Sequence, residues 1–139
     1  MFKLSVVLVA LISVAYGQNI GCKSPSTYVG KYVGESHECV GLVKALCDNM
    51  VNFATPNWVR GQNVKDNCKT ISKWTAVATF TAPNNKYKGH AAIFESCDVD
   101  GVWVYDQWNG QPVHRRKMKF GNTNNYPSND GSALYTIRR

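Results

Sequence analysis

The sequence has no Cys-X-X-Cys pair, no internal repeat or heptad run, no low-complexity segment, and no apolar stretch beyond its N-terminus long enough to cross a bilayer. Each absence excludes a class. Its cysteines are spaced by 17, 8, 21 and 29 residues, which repeats no zinc-ligand pattern, so no metal is expected. Without repeats or heptads the chain is neither a solenoid nor a coiled coil. Without a second apolar run it has no stable membrane anchor. Glycine and proline, at 11 and 5 of 139 residues, are too few for collagen-like or linker composition. A content of 44% hydrophobic and 12% aromatic residues is too high for a disordered chain. What remains is one domain, long enough to bury roughly two-thirds of its unfolded surface.

Acidic residues are also scarce, with 9 Asp and Glu against 16 Lys and Arg. The N-terminus assigns a compartment. Lys3 opens an apolar run from Leu4 to Val14, and Ala15-Tyr16-Gly17 supplies small residues before a cut. This reads as a secretory signal over residues 1–17, leaving a mature domain at 18–139 whose formal charge falls from +7 to +6 with the loss of Lys3.

All five cysteines, Cys22, Cys39, Cys47, Cys68 and Cys97, lie in the mature part, where secretion favours disulfides. Four can close two bridges, and one thiol is left over. Three pairings are open to Cys22, Cys47, Cys68 and Cys97. The expectation taken is Cys47 with Cys68 and Cys22 with Cys97, although spacing alone does not decide it.

Apolar residues at 39, 43, 46, 47 and 50 recur at helical spacing, predicting a helix from about Glu38 to Asn52 with Ser36 as its cap. Cys39 then sits in the first turn, where free N–H groups and the helix dipole favour a thiolate. On the helix alone, a reactive thiolate and a small core thiol weigh equally. Thr55-Pro56-Asn57-Trp58 breaks the helix, and Val59 to Cys68 reads as a loop with at most a helical turn. β-Forming runs follow at Trp74–Thr81, Ala91–Phe94, Val102–Tyr105, Arg116–Phe120 and Ala133–Ile137, separated by turn residues. The fold class is therefore α+β, a helix packed on an antiparallel sheet whose other face can stay wetter.

A reactive thiol needs a base. His90 opens a strand behind Gly89 and ahead of Ala91-Ala92, which leaves room beside its ring. His37 is pointed away across the helix cap, and His114 lies among Arg115, Arg116 and Lys117. Alternation along the next strand puts Val102, Val104 and Asp106 on one face. A carboxylate ending an aliphatic face needs a partner, and a histidine Nδ1–H would supply one. Asp106 is thus the candidate orienter, against an equal reading as a turn cap. Gln107, on the opposite face, is the alternative orienter and a candidate substrate contact, and Trp108 is the aromatic expected to line substrate. His114-Arg115-Arg116-Lys117-Met118-Lys119 concentrates positive charge, either as a solvated strand face or as a site for an anionic polymer.

The order of a cysteine at a helix start, a histidine opening a strand and a polar residue on the next strand resembles the papain-like cysteine amidases of the NlpC and CHAP type. Glu38-Cys39-Val40-Gly41-Leu42-Val43, Gly89-His90-Ala91-Ala92-Ile93-Phe94 and Val104-Tyr105-Asp106-Gln107-Trp108-Asn109-Gly110-Gln111-Pro112-Val113 look like the type VI secretion amidase effectors. With its signal and extra cysteines, the chain is similar to the domesticated amidase effectors of ticks and other arthropods, over about Tyr28 to Ile137. The resemblance implies a secreted antibacterial enzyme that hydrolyses peptidoglycan stem peptides by Cys39 and His90, with Asp106. The implied bond is the D-alanine–diaminopimelate crosslink, with the D-glutamate–third-residue bond as the alternative. It implies a monomer acting on peptidoglycan without metal or organic cofactor. Nucleic acid is not an expected partner. Two other classes stay open: a cationic protein that binds or permeabilises bacterial surfaces without turnover, and a structural protein disulfide-linked between chains.

Overall fold

A computed structural model describes residues 17–122 and 126–139. The expected signal segment lies outside the described residues except for Gly17. Among the described residues no helix is long and apolar enough to cross a membrane.

Six strands form one antiparallel sheet: β1 (Val59–Asn63), β2 (Thr75–Thr79), β3 (Ala91–Cys97), β4 (Gly101–Trp108), β5 (Gln111–Lys119) and β6 (Leu134–Arg138). Their order across the sheet is β1-β6-β2-β3-β4-β5. Side chains alternate between two cores. Ala76, Ala78, Ala91, Ile93, Tyr105, Val113 and Ile137 point to the face covered by α1 (Cys39–Leu46), which contributes Leu42, Val43 and Leu46. Eight residues make a marginal helix by themselves. Burying those three side chains, at about 1.5–3 kcal/mol each, is what holds α1 in place.

Val77, Ala92, Phe94, Val102, Val104, Met118 and Leu134 face the opposite way, under Val64 and Ile71 from the stretch beginning with α2 (Val64–Asn67). The expected wetter face is therefore covered too. β2 is buried at every position, which explains its run of small and β-branched residues without polar alternation.

Three expectations need correction. α1 ends at Leu46 rather than near Asn52, because Cys47 turns extended (φ −100°, ψ 147°) and pairs with Cys22. Its N-cap is Glu38 rather than Ser36, whose hydroxyl accepts instead from the Glu38 N–H at 3.3 Å. The segment read as a loop at Val59–Cys68 opens with strand β1, followed by α2.

The disulfides also differ from the expected pairing: Cys22 joins Cys47, and Cys68 joins Cys97. Each bridge staples one face. The N-terminal segment runs beside the end of α1, with Lys23 N–H donating to Leu46 O at 2.9 Å and Asp48 N–H to Gly21 O at 2.9 Å. The second bridge ties the chain after α2 to the end of β3. The bridges span 25 and 29 residues, so each contributes about 3.5 kcal/mol by constraining the unfolded chain. Denaturant unfolding with and without reductant checks this: reduction is expected to lower the unfolding free energy by about that amount per bridge.

Candidate active site

Closing those two bridges leaves Cys39 as the free cysteine, buried at the first position of α1. The tightly held segment before α1 aims it. Fully buried Gln107 accepts from the Val33 N–H at 2.9 Å and donates to the carbonyls of Val33, Ser36 and Glu38 at 2.8, 3.2 and 2.9 Å. Its amide is thereby consumed, so Gln107 is neither the histidine's orienter nor a substrate contact. It anchors the backbone that presents Cys39.

His90 is set at the mouth of β3 by its backbone. Its N–H donates at 2.9 Å to Thr79 Oγ1, whose own hydroxyl donates to Lys88 O. Gly89 makes this possible: it sits at φ +110°, and a Cβ there would lie 2.3 Å from Thr79 Oγ1. Gly89→Ala is expected to lower stability by about 1–3 kcal/mol and to slow alkylation of Cys39 at neutral pH. A denaturant melt and a thiol-reactivity assay check the two effects.

His90 Nε2 lies 2.6 Å from Asp106 Oδ2. The nitrogen on the carboxylate is thus Nε2, not the expected Nδ1, and Nδ1 is left for the thiol. Asp106 ends the Val102–Val104 face and is fully buried. Arg116 Nε donates to the same Oδ2 at 2.8 Å. His114 Nε2 comes within 2.9 Å of Oδ1, close enough for an ion pair but without hydrogen-bond alignment, so both atoms lack a hydrogen-bond partner. Tyr87, the remaining member, places its hydroxyl 3.8 Å from Cys39 Sγ. It is wedged there by the rings of Trp58 and Phe80, with centroids 4.8 and 6.4 Å away.

The electrostatics follow from these contacts. Burial pushes the Cys39 thiol up, but the hydrogen bond and charge of His90, the Ala91 N–H and the Tyr87 hydroxyl together hold it below its ordinary value. Burial works to lower His90, and the Asp106 hydrogen bond, reinforced by Cys39, overrides it and raises the imidazole to about 9. Burial raises Asp106, and His90 and Arg116 outweigh it to keep the carboxyl below the usual range. Tyr87 is pushed above the tyrosine range by burial and then by Cys39, so it remains a donor. Both shifts act in the direction of a thiolate beside an imidazolium.

The pair sits at the wall of an open cleft of about 420 Å³, lined by Glu38, Cys39, Gly89, His90, Trp108, Arg116, Ser128 and Asn129. Trp108 forms a wall, its ring centroid 6.3 Å from that of His90. A larger hollow of about 800 Å³ surrounds the Cys68–Cys97 bridge, but it holds neither a free thiol nor a histidine. The smaller cleft is the one that combines the free thiol with a histidine. His37 stands outside it, stacked on Tyr32 at 3.8 Å. Among the described residues no group of three or more His, Cys, Asp or Glu is arranged to hold a metal ion.

Three cations of the basic run are engaged by carboxylates. Arg115 pairs with Glu95, Arg116 with Asp106, and Lys117 with Asp98 and Asp100. Arg116, His114 and Tyr87 are the site residues that the sequence did not single out.

This fold is that of an amidase effector: the structure superposes on type 6 secretion amidase effector 2 with a TM-score of 0.64 and 26% identity, covering 84% of this chain and 93% of the other. A type VI secretion amidase effector 2 protein of Salmonella typhi is 39% identical over 90 residues, 63% of this chain and 65% of its own. The model of the domesticated amidase effector 2 family matches residues 9–137, and the chain belongs to that family. The domesticated amidase effector 2 of Ixodes scapularis is 52% identical over 139 residues, covering 99% of this chain and 97% of the relative.

Proposed function

We propose that the protein is a secreted antibacterial cysteine amidase, with the papain-like NlpC/CHAP type of mechanism, which hydrolyses stem-peptide amide bonds in bacterial peptidoglycan. The observation that carries this reading is the polarised Cys39–His90 pair, thiol lowered and imidazole raised, at a helix start in an open cleft. Cys39 thiolate attacks the amide carbonyl carbon. The first backbone N–H of α1 and the Tyr87 hydroxyl stabilise the oxyanion. His90 Nδ1 gives its proton to the leaving nitrogen as the C–N bond breaks, leaving a thioester on Cys39. His90 then takes a proton from water, whose oxygen attacks the thioester and restores the thiolate. Asp106 stays ionised throughout and holds the imidazolium in register. These steps require no metal or organic cofactor.

Secretion as a monomer at residues 18–139 is supported by the apolar N-terminus and by disulfides that consume every cysteine except Cys39. The reading as a purely cationic binder loses ground because three cations of the basic run are already engaged by carboxylates. Purified peptidoglycan incubated with the protein and resolved by mass spectrometry tests the proposal. Crosslinked dimers cut between D-alanine and diaminopimelate are the expected result. Cleavage after D-glutamate would reassign the bond, and an undigested wall would overturn the proposal.

A further inference from the structure

Asp106 has two oxygens, and the contacts to His90 and Arg116 use one of them. Oδ2 lies 2.6 Å from His90 Nε2 and accepts from Arg116 Nε at 2.8 Å. Burial raises this carboxyl, but His90 and Arg116 hold it below the usual range, so it is an acceptor only. Contacts at a single oxygen leave a carboxylate free to turn about that point, and a turn carries the acceptor off the His90 N–H. A second contact, at Oδ1, fixes it.

The polar atom facing Oδ1 is His114 Nε2, 2.9 Å away. Both atoms are buried, and among the described residues neither has a hydrogen-bond partner. Leaving either one unpaired is costly, and a small swing of the imidazole satisfies both at once. The sheet brings them together, because Asp106 and His114 stand directly opposite each other on β4 and β5. Trp108 packs nearly at right angles against the His114 ring, at 79° with centroids 4.9 Å apart, and limits that swing. The charged and titratable groups around His114 are Asp106 on β4, His90 on β3 beyond that carboxylate, and Arg116 on its own strand. Among the described residues, Trp108 and Arg116 line the cleft and His114 does not. Its route to the thiol therefore runs through Asp106.

We infer that His114 is a positioning residue: its Nε2–H donates to Asp106 Oδ1 and locks the carboxylate so that Oδ2 stays on His90. The Nε2–H tautomer and the imidazolium both carry the required proton, so this support does not depend on the charge of His114.

His114→Leu and His114→Gln proteins beside wild type test the inference. With a soluble crosslinked stem peptide as substrate, His114→Leu is expected to lower kcat about 10-fold, as for a lost hydrogen bond to a charged group, with KM near wild type. The pH midpoint of Cys39 alkylation is expected to move upward in the same variant, because a carboxylate that turns supports the His90 imidazolium less. His114→Gln carries an amide N–H at similar reach and is expected to recover most of both. In wild type, ¹⁵N NMR is expected to find a proton on His114 Nε2. A His114→Leu midpoint equal to wild type, a His114→Gln protein that behaves as His114→Leu, or an unprotonated Nε2 would overturn the assignment. The kcat measurement rests on the amidase reading, and the other two do not. A wild type that cuts no peptide overturns that reading, while the alkylation midpoints and the nitrogen spectrum still decide this one.

Discussion

Cys39→Ala protein is expected to release no soluble fragments from peptidoglycan that the wild type digests, a loss of about 10⁴-fold or more in rate. Chain fold should be unaffected. The substitution removes one sulfur atom from a small side chain at the first position of α1, while Leu42, Val43 and Leu46 keep the helix on the sheet. Both disulfides are untouched, because Cys39 takes no part in either. Circular dichroism and a denaturant melt close to wild type, with wall hydrolysis gone, is the expected combination. A cationic binder would keep its antibacterial effect in this variant and lose it with added salt.

Asp106→Ala is the second large effect, and it should strike stability and activity together. The carboxylate is fully buried and meets three cationic or titratable groups, His90, Arg116 and His114. Removing it leaves Arg116 charged and partly buried with no counter-ion, at a cost of about 3–5 kcal/mol. The contact that raises His90 would vanish, leaving burial to lower it, so the ion pair with Cys39 should weaken. Activity should fall by about 10²- to 10⁴-fold. Asp106→Asn is expected to retain more stability, since its carbonyl oxygen can still accept from His90 or Arg116. Denaturant unfolding of the two variants beside wild type, with parallel assays of wall hydrolysis, checks the order.

Much of the site was legible because local periodicity reports it. The stripe at Cys39, Val43, Leu46, Cys47 and Met50 is buried throughout, and alternation along β4 put Asp106 on the same face as Val102 and Val104. The rest depended on pairings that no local signal encodes. β1 reads Val-Arg-Gly-Gln-Asn, with little β propensity, and exists because β6 offers it an edge; a Cβ on Gly61 would come within 2.2 Å of Thr136 Oγ1. The disulfide partners follow from which segments lie side by side on each face.

Arg116 and His114 were hidden by a bulge. Counting back from the Asn109-Gly110 turn, where Trp108 pairs with Gln111, places Val113 opposite Asp106. The register shifts by one residue between Trp108 and Asp106, so Asp106 instead pairs with His114. That single step exchanges the faces of β5, turning His114 and Arg116 toward the carboxylate and sending Arg115 out to Glu95 and the Trp103 ring.

The central claim is that Cys39 is a thiolate held by His90, and the pH dependence of its alkylation reads this without any substrate. Cys39 is the free thiol, so the signal is unambiguous. Wild type is predicted to react with a midpoint below the ordinary cysteine value of about 8.5. In His90→Ala protein, burial acts with little opposition and the midpoint should move above that value. A wild-type midpoint at or above the ordinary value, or one that His90→Ala leaves in place, would contradict the account.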